Sequence, residues 1–149
     1  MKFLGNIDAA QVEAVTTAVS RTVSGHDPFS LRLGRAGAFP NVRGPRVLWI
    51  GLEGDVPLLT SLQGAIEDSL AGLGFERERR GFNPHLTVAR IRDGTSPANR
   101  RRAGEALLSA PLEEGIAFRA TAVSLMRSTI GPGGAMYDRL AAMPLGRAC

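Results

Sequence analysis

Two side chains in this sequence are of types that could together move a proton and hold a phosphate. They are His85 and Thr87, in the stretch Gly81-Phe82-Asn83-Pro84-His85-Leu86-Thr87-Val88-Ala89-Arg90. Glycine and proline punctuate its start and a short apolar run follows, which reads as a strand from His85 to Ile91. Alternation along a strand puts His85 and Thr87 on one face. Leu86 and Val88 then point the other way and are expected to pack in a core. An imidazole can carry a proton near neutral pH, and a hydroxyl can donate to a phosphoryl oxygen. Arg77, Arg79 and Arg80 lie in the approach to His85, as a solvated loop or as a basic rim that draws in a polyanion. Phe82 could cap the core or stack on a nucleobase.

The elements that must position this strand can be traced along the chain. Met1 to Gly5 reads as the tail of a strand. Asp8 is placed as a helix N-cap with Gln11 in the reciprocal capping-box position, and Val12, Val15 and Val19 follow at helical spacing until Ser24-Gly25. His26 comes just beyond, as an exposed residue near a helix C-terminus, and nothing in its spacing supports a catalytic role. Phe29, Leu31 and Leu33 alternate with polar residues as a half-buried strand, and Gly34 to Gly44 reads as a loop. Arg46 to Gly51 is a second strand with Val47 and Trp49 on one face. Trp49 is read as core or as a base-stacking platform. Leu59, Leu62, Ile66, Leu70 and Leu73 form the apolar stripe of a second helix that Gly74 ends.

Ser96 caps a third helix with Pro97 in its first turn, and Arg100, Arg101 and Arg102 spread around it. Ile116 to Arg119 and Thr121 to Arg127 read as strands. Gly131 to Gly134 is a turn, and Ala135 to Met143 returns as the last strand of a hairpin. The pattern is α+β, with antiparallel strands and helices packed outside them.

Pro84-His85-Leu86-Thr87-Val88-Ala89-Arg90 resembles the second H-x-T-x motif of the two-histidine phosphoesterases, and within them the RNA 2',3'-cyclic phosphodiesterases, also called 2'-5' RNA ligases. Four further stretches carry the resemblance in the family's order. They are Lys2-Phe3-Leu4-Gly5 with Asp8; Phe39-Pro40 followed by Pro45-Arg46-Val47-Leu48-Trp49; Leu62 to Gly74-Phe75; and Ser128 with Pro132, Gly134 and Tyr137. It implies one domain over residues 1–149, bilobed, with two antiparallel sheets facing a central cleft.

The implied reaction is hydrolysis of an RNA 2',3'-cyclic phosphate to a 2'-phosphate without metal or other cofactor, with 2'-5' ligation in reverse. His85 would be the general base and Thr87 the phosphate donor, with Arg90, Phe82 and Ser128 binding substrate. Simple alternation puts Arg90 on the face opposite His85, so its role requires a twist or bulge at the strand end. One departure stands out. The family's first H-x-T-x precedes its K-F-L-G segment, and Met1 stands where that motif's last residue is expected. The first histidine and the strand and helix before it, about 40 residues by ordinary element lengths, are expected to be missing. Two readings stay open: a start placed too far downstream of an ordinary enzyme, or a remnant that binds phosphate or RNA ends without turnover.

Composition sets the remaining bounds. At 149 residues, with 44% hydrophobic and 21% charged residues, the chain is long enough to bury a core as one globular domain. Its formal charge of +4 is almost wholly arginine, Lys2 being the single lysine. The guanidinium fork suits phosphate, but an arginine-rich background would give the same balance. The single cysteine, Cys149, permits no intrachain disulfide, which agrees with a reducing compartment. No P-loop, HExxH or histidine–cysteine–carboxylate cluster points to a nucleotide or a metal. No apolar run is long enough to span a membrane. A cytoplasmic monomer acting on RNA ends is the expectation.

Overall fold

Asp8 opens the first helix as its chemistry dictates. Its Oδ1 accepts from the Gln11 amide at 2.8 Å while the Gln11 side chain accepts from the Asp8 amide at 3.0 Å, a closed capping box. Such a cap contributes about 1 kcal/mol. In chain order the elements of the computed structural model are α1 (Ala9–Val23), β1 (Phe29–Phe39), β2 (Val47–Gly54), α2 (Val56–Ala71), β3 (His85–Arg90), α3 (Pro97–Ser109), β4 (Ala117–Ala120), β5 (Ala122–Gly131) and β6 (Gly134–Pro144). Residues 2–111, 116–132 and 134–146 are described, so Gly133 of the hairpin turn and Cys149 lie outside them. The α+β class with antiparallel sheets is the one expected. None of the described helices is long and apolar enough to cross a membrane.

The chain divides into two units. The first comprises Met1–Phe29, Pro57–Phe82 and Arg119–Cys149. Here β5 and β6 form an antiparallel hairpin from Ala122↔Pro144 to Gly131↔Gly134. Val15, Val19 and Val23 of α1, Leu62, Ile66 and Leu70 of α2, and Met143 and Leu145 supply its buried apolar residues. Repeats of four along each helix place these side chains on one stripe, as the sequence predicts. Leu73 departs from that stripe and is 42% exposed, because α2 ends at Ala71 and Gly74 turns the chain at φ +88°. His26 is half-buried rather than exposed. Its Nδ1 lies 3.0 Å from the Thr22 carbonyl oxygen, and its own carbonyl accepts from the Gly146 amide.

Residues 2–5 are not a strand, since among the described residues no ladder pairs with them. Lys2 is instead tied to α2 through Glu67, whose carboxylate accepts from Lys2 Nζ at 2.7 Å, Gln63 Nε2 at 3.2 Å and the Glu78 amide at 3.2 Å. Lys2 Nζ also donates to the Glu76 carbonyl oxygen. Glu67 thereby fastens the residues before α1 and those after α2 to one helix.

The second unit comprises Ser30–Val56 and Asn83–Phe118. Its sheet runs β3-β2-β1-β4. The sequence predicts a loop from Gly34, but β1 continues to Phe39. A bulge between Leu33 and Ala36 absorbs an extra residue, and the ladder with β2 resumes at Ala36↔Ile50. Glycines inside a strand mark such bulges and close approaches as often as they end the strand. Across the bulge, Leu31, Leu33, Ala36 and Ala38 keep to the face of Leu48, Ile50 and Leu52, because residues opposite one another in an antiparallel ladder share a face. Leu31, Ala38 and Leu48 are buried there. α3 begins at the Ser96 cap with Pro97 in its first turn and buries Gly104, where an added Cβ would meet the Val42 carbonyl oxygen at 2.8 Å.

Leu86 and Val88 are not core residues. They are 45% and 53% exposed, because β3 is the sheet's outer strand and its apolar face remains uncovered among the described residues.

Candidate active site

His85 opens β3 immediately after Asn83-Pro84. Its Nδ1 lies 2.6 Å from the Asn83 carbonyl oxygen, which can only accept, so Nδ1 carries the proton of the neutral ring. That assignment leaves Nε2 as the nitrogen with a free lone pair, the one able to take a proton from a nucleophile. A short local hydrogen bond thus sets the tautomer.

The register of β3 on β2 decides which side chains accompany that imidazole. The pairs are Gly51↔His85, Trp49↔Thr87 and Val47↔Arg90, with a shift between Trp49 and Leu48 that leaves Val88 without a partner. Gly51, Trp49 and Val47 are two apart along β2 and share a face. Their partners share it too, so His85, Thr87 and Arg90 come to one face of the sheet. Alternation alone puts Arg90 on the opposite side; the bulge at Val88 brings it back, as its expected role requires. His85 is half-buried, while Thr87 and Arg90 are exposed. A proton carrier, a hydroxyl donor and a guanidinium on one exposed face form a set suited to a phosphate diester.

Two aromatic rings join this face. The Phe39 centroid lies 5.3 Å from that of His85 in an edge-on arrangement, and Trp49 lies 6.1 Å from His85 and 5.1 Å from Phe39. Trp49 is half-buried, so neither a sealed core position nor an open stacking platform describes it. Its association with His85 was not legible in sequence, where 36 residues separate the two; the only signal is that Val47 and Trp49 share the face opposite Leu48. Phe82 is half-buried and Ser128 exposed, the latter on β5 opposite Tyr137; both belong to the first unit. Among the described residues, no three His, Cys, Asp or Glu side chains are grouped to hold a metal ion.

Comparison with known proteins bears on this geometry. Residues 3–131 match the model of the 2'-5' RNA ligase superfamily. The chain is 33% identical over 137 residues to the RNA 2',3'-cyclic phosphodiesterase of Methanothermobacter thermautotrophicus, covering 92% of this chain and 72% of that protein. It is 30% identical over 145 residues to the protein of the same name from Geobacillus stearothermophilus, covering 97% of this chain and 44% of that one. Among solved structures, Thermus thermophilus TT0787 matches with a TM-score of 0.75 at 24% identity, over 97% of this chain and 75% of the other. E. coli LigT in complex with 3'-AMP matches with a TM-score of 0.73 at 25% identity, over 97% and 74%.

Proposed function

The chain belongs to the 2'-5' RNA ligase superfamily, and from that premise we propose that it hydrolyses RNA 2',3'-cyclic phosphate ends to 2'-phosphate ends. The observation that carries this reading is the common face of His85, Thr87 and Arg90 on β3, which the Val88 bulge creates. Relatives named RNA 2',3'-cyclic phosphodiesterase support it.

In the reaction a water oxygen forms a bond to phosphorus and the bond from phosphorus to the 3'-oxygen breaks. His85 Nε2 takes the proton that the attacking water loses, and the departing 3'-oxygen takes up a proton from solvent to become a hydroxyl. The Thr87 hydroxyl donates to a non-bridging oxygen as charge builds there, and the Arg90 guanidinium pairs with the same phosphate. Replacing water by the 5'-hydroxyl of a second RNA, with the same base, leaves a 2'-5' phosphodiester; that is the ligation reading. The substrate partner is RNA, the setting the cytoplasm, and the working form a monomer.

The test is to incubate the purified chain with a short RNA ending in a 2',3'-cyclic phosphate and follow the phosphorus NMR signal. Appearance of a 2'-phosphomonoester is expected. A 3'-phosphate product would overturn the assigned direction of opening. Salt-weakened binding of the RNA end with the cyclic phosphate left intact would reduce the chain to an end-binding module.

Thr87→Ala should lower kcat about 10- to 100-fold, the range expected for losing a hydrogen bond of about 1.5–3 kcal/mol to a charged group. Thr87→Ser should recover most of the loss, because it restores the donor on the same strand face. Equal rates for the alanine and native forms would remove Thr87 from the mechanism.

A further inference from the structure

We propose that Trp49, seated over Gly37, is a positioning residue for His85. The proposal rests on the phosphodiesterase reading for its effect on turnover, though the contact itself can be tested without turnover.

Three observations converge on it. The first is the cradle. Gly37 is the cross-strand partner of Trp49, and a Cβ built at Gly37 would lie 2.3 Å from the indole Cζ2 and 2.4 Å from Cη2. Only a residue without a side chain lets the indole lie across β1. On the other side, Gly51 leaves 3.6 Å between its own built Cβ and the indole Cζ3, and Gly51 is the residue paired with His85. The second is the ring set: Trp49 and Phe39 both approach the imidazole, at tilts of 58° and 80° to its plane.

The third is an orphaned donor. Trp49 Nε1 is buried and has no hydrogen-bond partner among the described residues. An N–H buried without an acceptor is unfavourable, and a phenylalanine would avoid it. The indole is therefore placed for its extent and its face rather than for its N–H. With Nδ1 already held by the Asn83 carbonyl, contacts on the flank of the ring restrict its remaining rotation and keep Nε2 in one direction. Small displacements of a catalytic group are costly, since a misplacement of about 1 Å can lower a rate by about 100-fold.

Trp49 is the sole tryptophan and His85 one of only two histidines, which gives the test a direct signal. An imidazole in contact with an indole quenches its fluorescence. Emission of the native chain should therefore be weaker than that of His85→Asn measured at the same pH. The quench should survive His26→Asn and vanish in His85→Asn. Gly37→Ala should abolish the quench and lower kcat about 10- to 100-fold, with KM changed by less than about threefold. Trp49→Leu should lower kcat to a similar extent, and Trp49→Phe, which keeps an aromatic face, should recover most of kcat. Circular dichroism checks each fold, and Trp49→Leu serves should Gly37→Ala not fold.

A quench that persists in His85→Asn overturns the contact. Native kcat in both Gly37→Ala and Trp49→Leu overturns the positioning role while leaving the proposed activity intact. Absence of turnover in the native chain, with the His85-dependent quench present, removes the activity and leaves the contact standing.

Discussion

His85→Ala is expected to lower the turnover of cyclic-phosphate hydrolysis by about 10²- to 10⁴-fold, the contribution a positioned side chain makes to proton transfer. It should do so without unfolding the chain. The imidazole is half-buried at the start of the sheet's outer strand, and its own hydrogen bond goes to a carbonyl two residues away. The Phe39–Trp49 contact at 5.1 Å does not depend on it. Loss of activity should thus separate from loss of structure: kcat falls while the thermal midpoint stays near the native value. His85→Gln should not rescue, because an amide cannot accept and release a proton near neutrality. Turnover within threefold of native in His85→Ala would sink the assigned base and, with it, the role of the β3 face.

The second large effect concerns stability. Glu67→Ala is expected to destabilise the fold by about 3–5 kcal/mol, as breaking one side of a buried ion pair does. The thermal midpoint should drop by roughly 10 °C at the scale of about 2–4 °C per kcal/mol for a chain of this size. The residue is 7% exposed, and the substitution would strand the Lys2 ammonium, whose side chain is 9% exposed. Burial by itself pushes the Glu67 carboxyl upward. The hydrogen bond from Lys2, that from the Glu78 amide and the charges of Lys2 and Arg77 outweigh it, leaving the group below its ordinary 4.5.

The sign of the pH dependence follows. A carboxyl lowered on folding lends stability that is complete above the unfolded value and is lost as pH falls through the lowered folded value. Thermal midpoints measured downward from pH about 7 should hold until roughly 4.5 and then decline. Glu67→Gln should start lower and lack that part of the decline. Replacing both partners, as Lys2→Met with Glu67→Leu, should cost less than removing Glu67 alone, because no charge is left buried without its counterpart. A midpoint in Glu67→Ala within about 2 °C of native would show that the pair does not hold the unit together.

The sequence by itself determined the parts governed by neighbours a few residues away. Asp8 with Gln11, and Ser96 with Pro97, start helices because caps act over three residues. The stripe of Leu62, Ile66 and Leu70 buries because a helix repeats on that spacing. His85 and Thr87 share a face because a strand repeats every two, and β5 and β6 pair as the expected hairpin.

Tertiary structure alone decided what depends on partners far along the chain. Register on β2 left Val88 unpaired and carried Arg90 to the face of His85 and Thr87. Pairing across Gly34 and Gly37 turned an expected loop into the length of β1 and made the bed on which Trp49 reaches His85. The edge position of β3 left Leu86 and Val88 exposed, where their composition reads as core. Lys2 met Glu67 across 65 residues instead of extending a strand. Periodicity and capping are local and can be read from spacing. Register, desolvation and ion pairing are set only when distant segments meet, and here they assemble the face on which the chemistry is proposed.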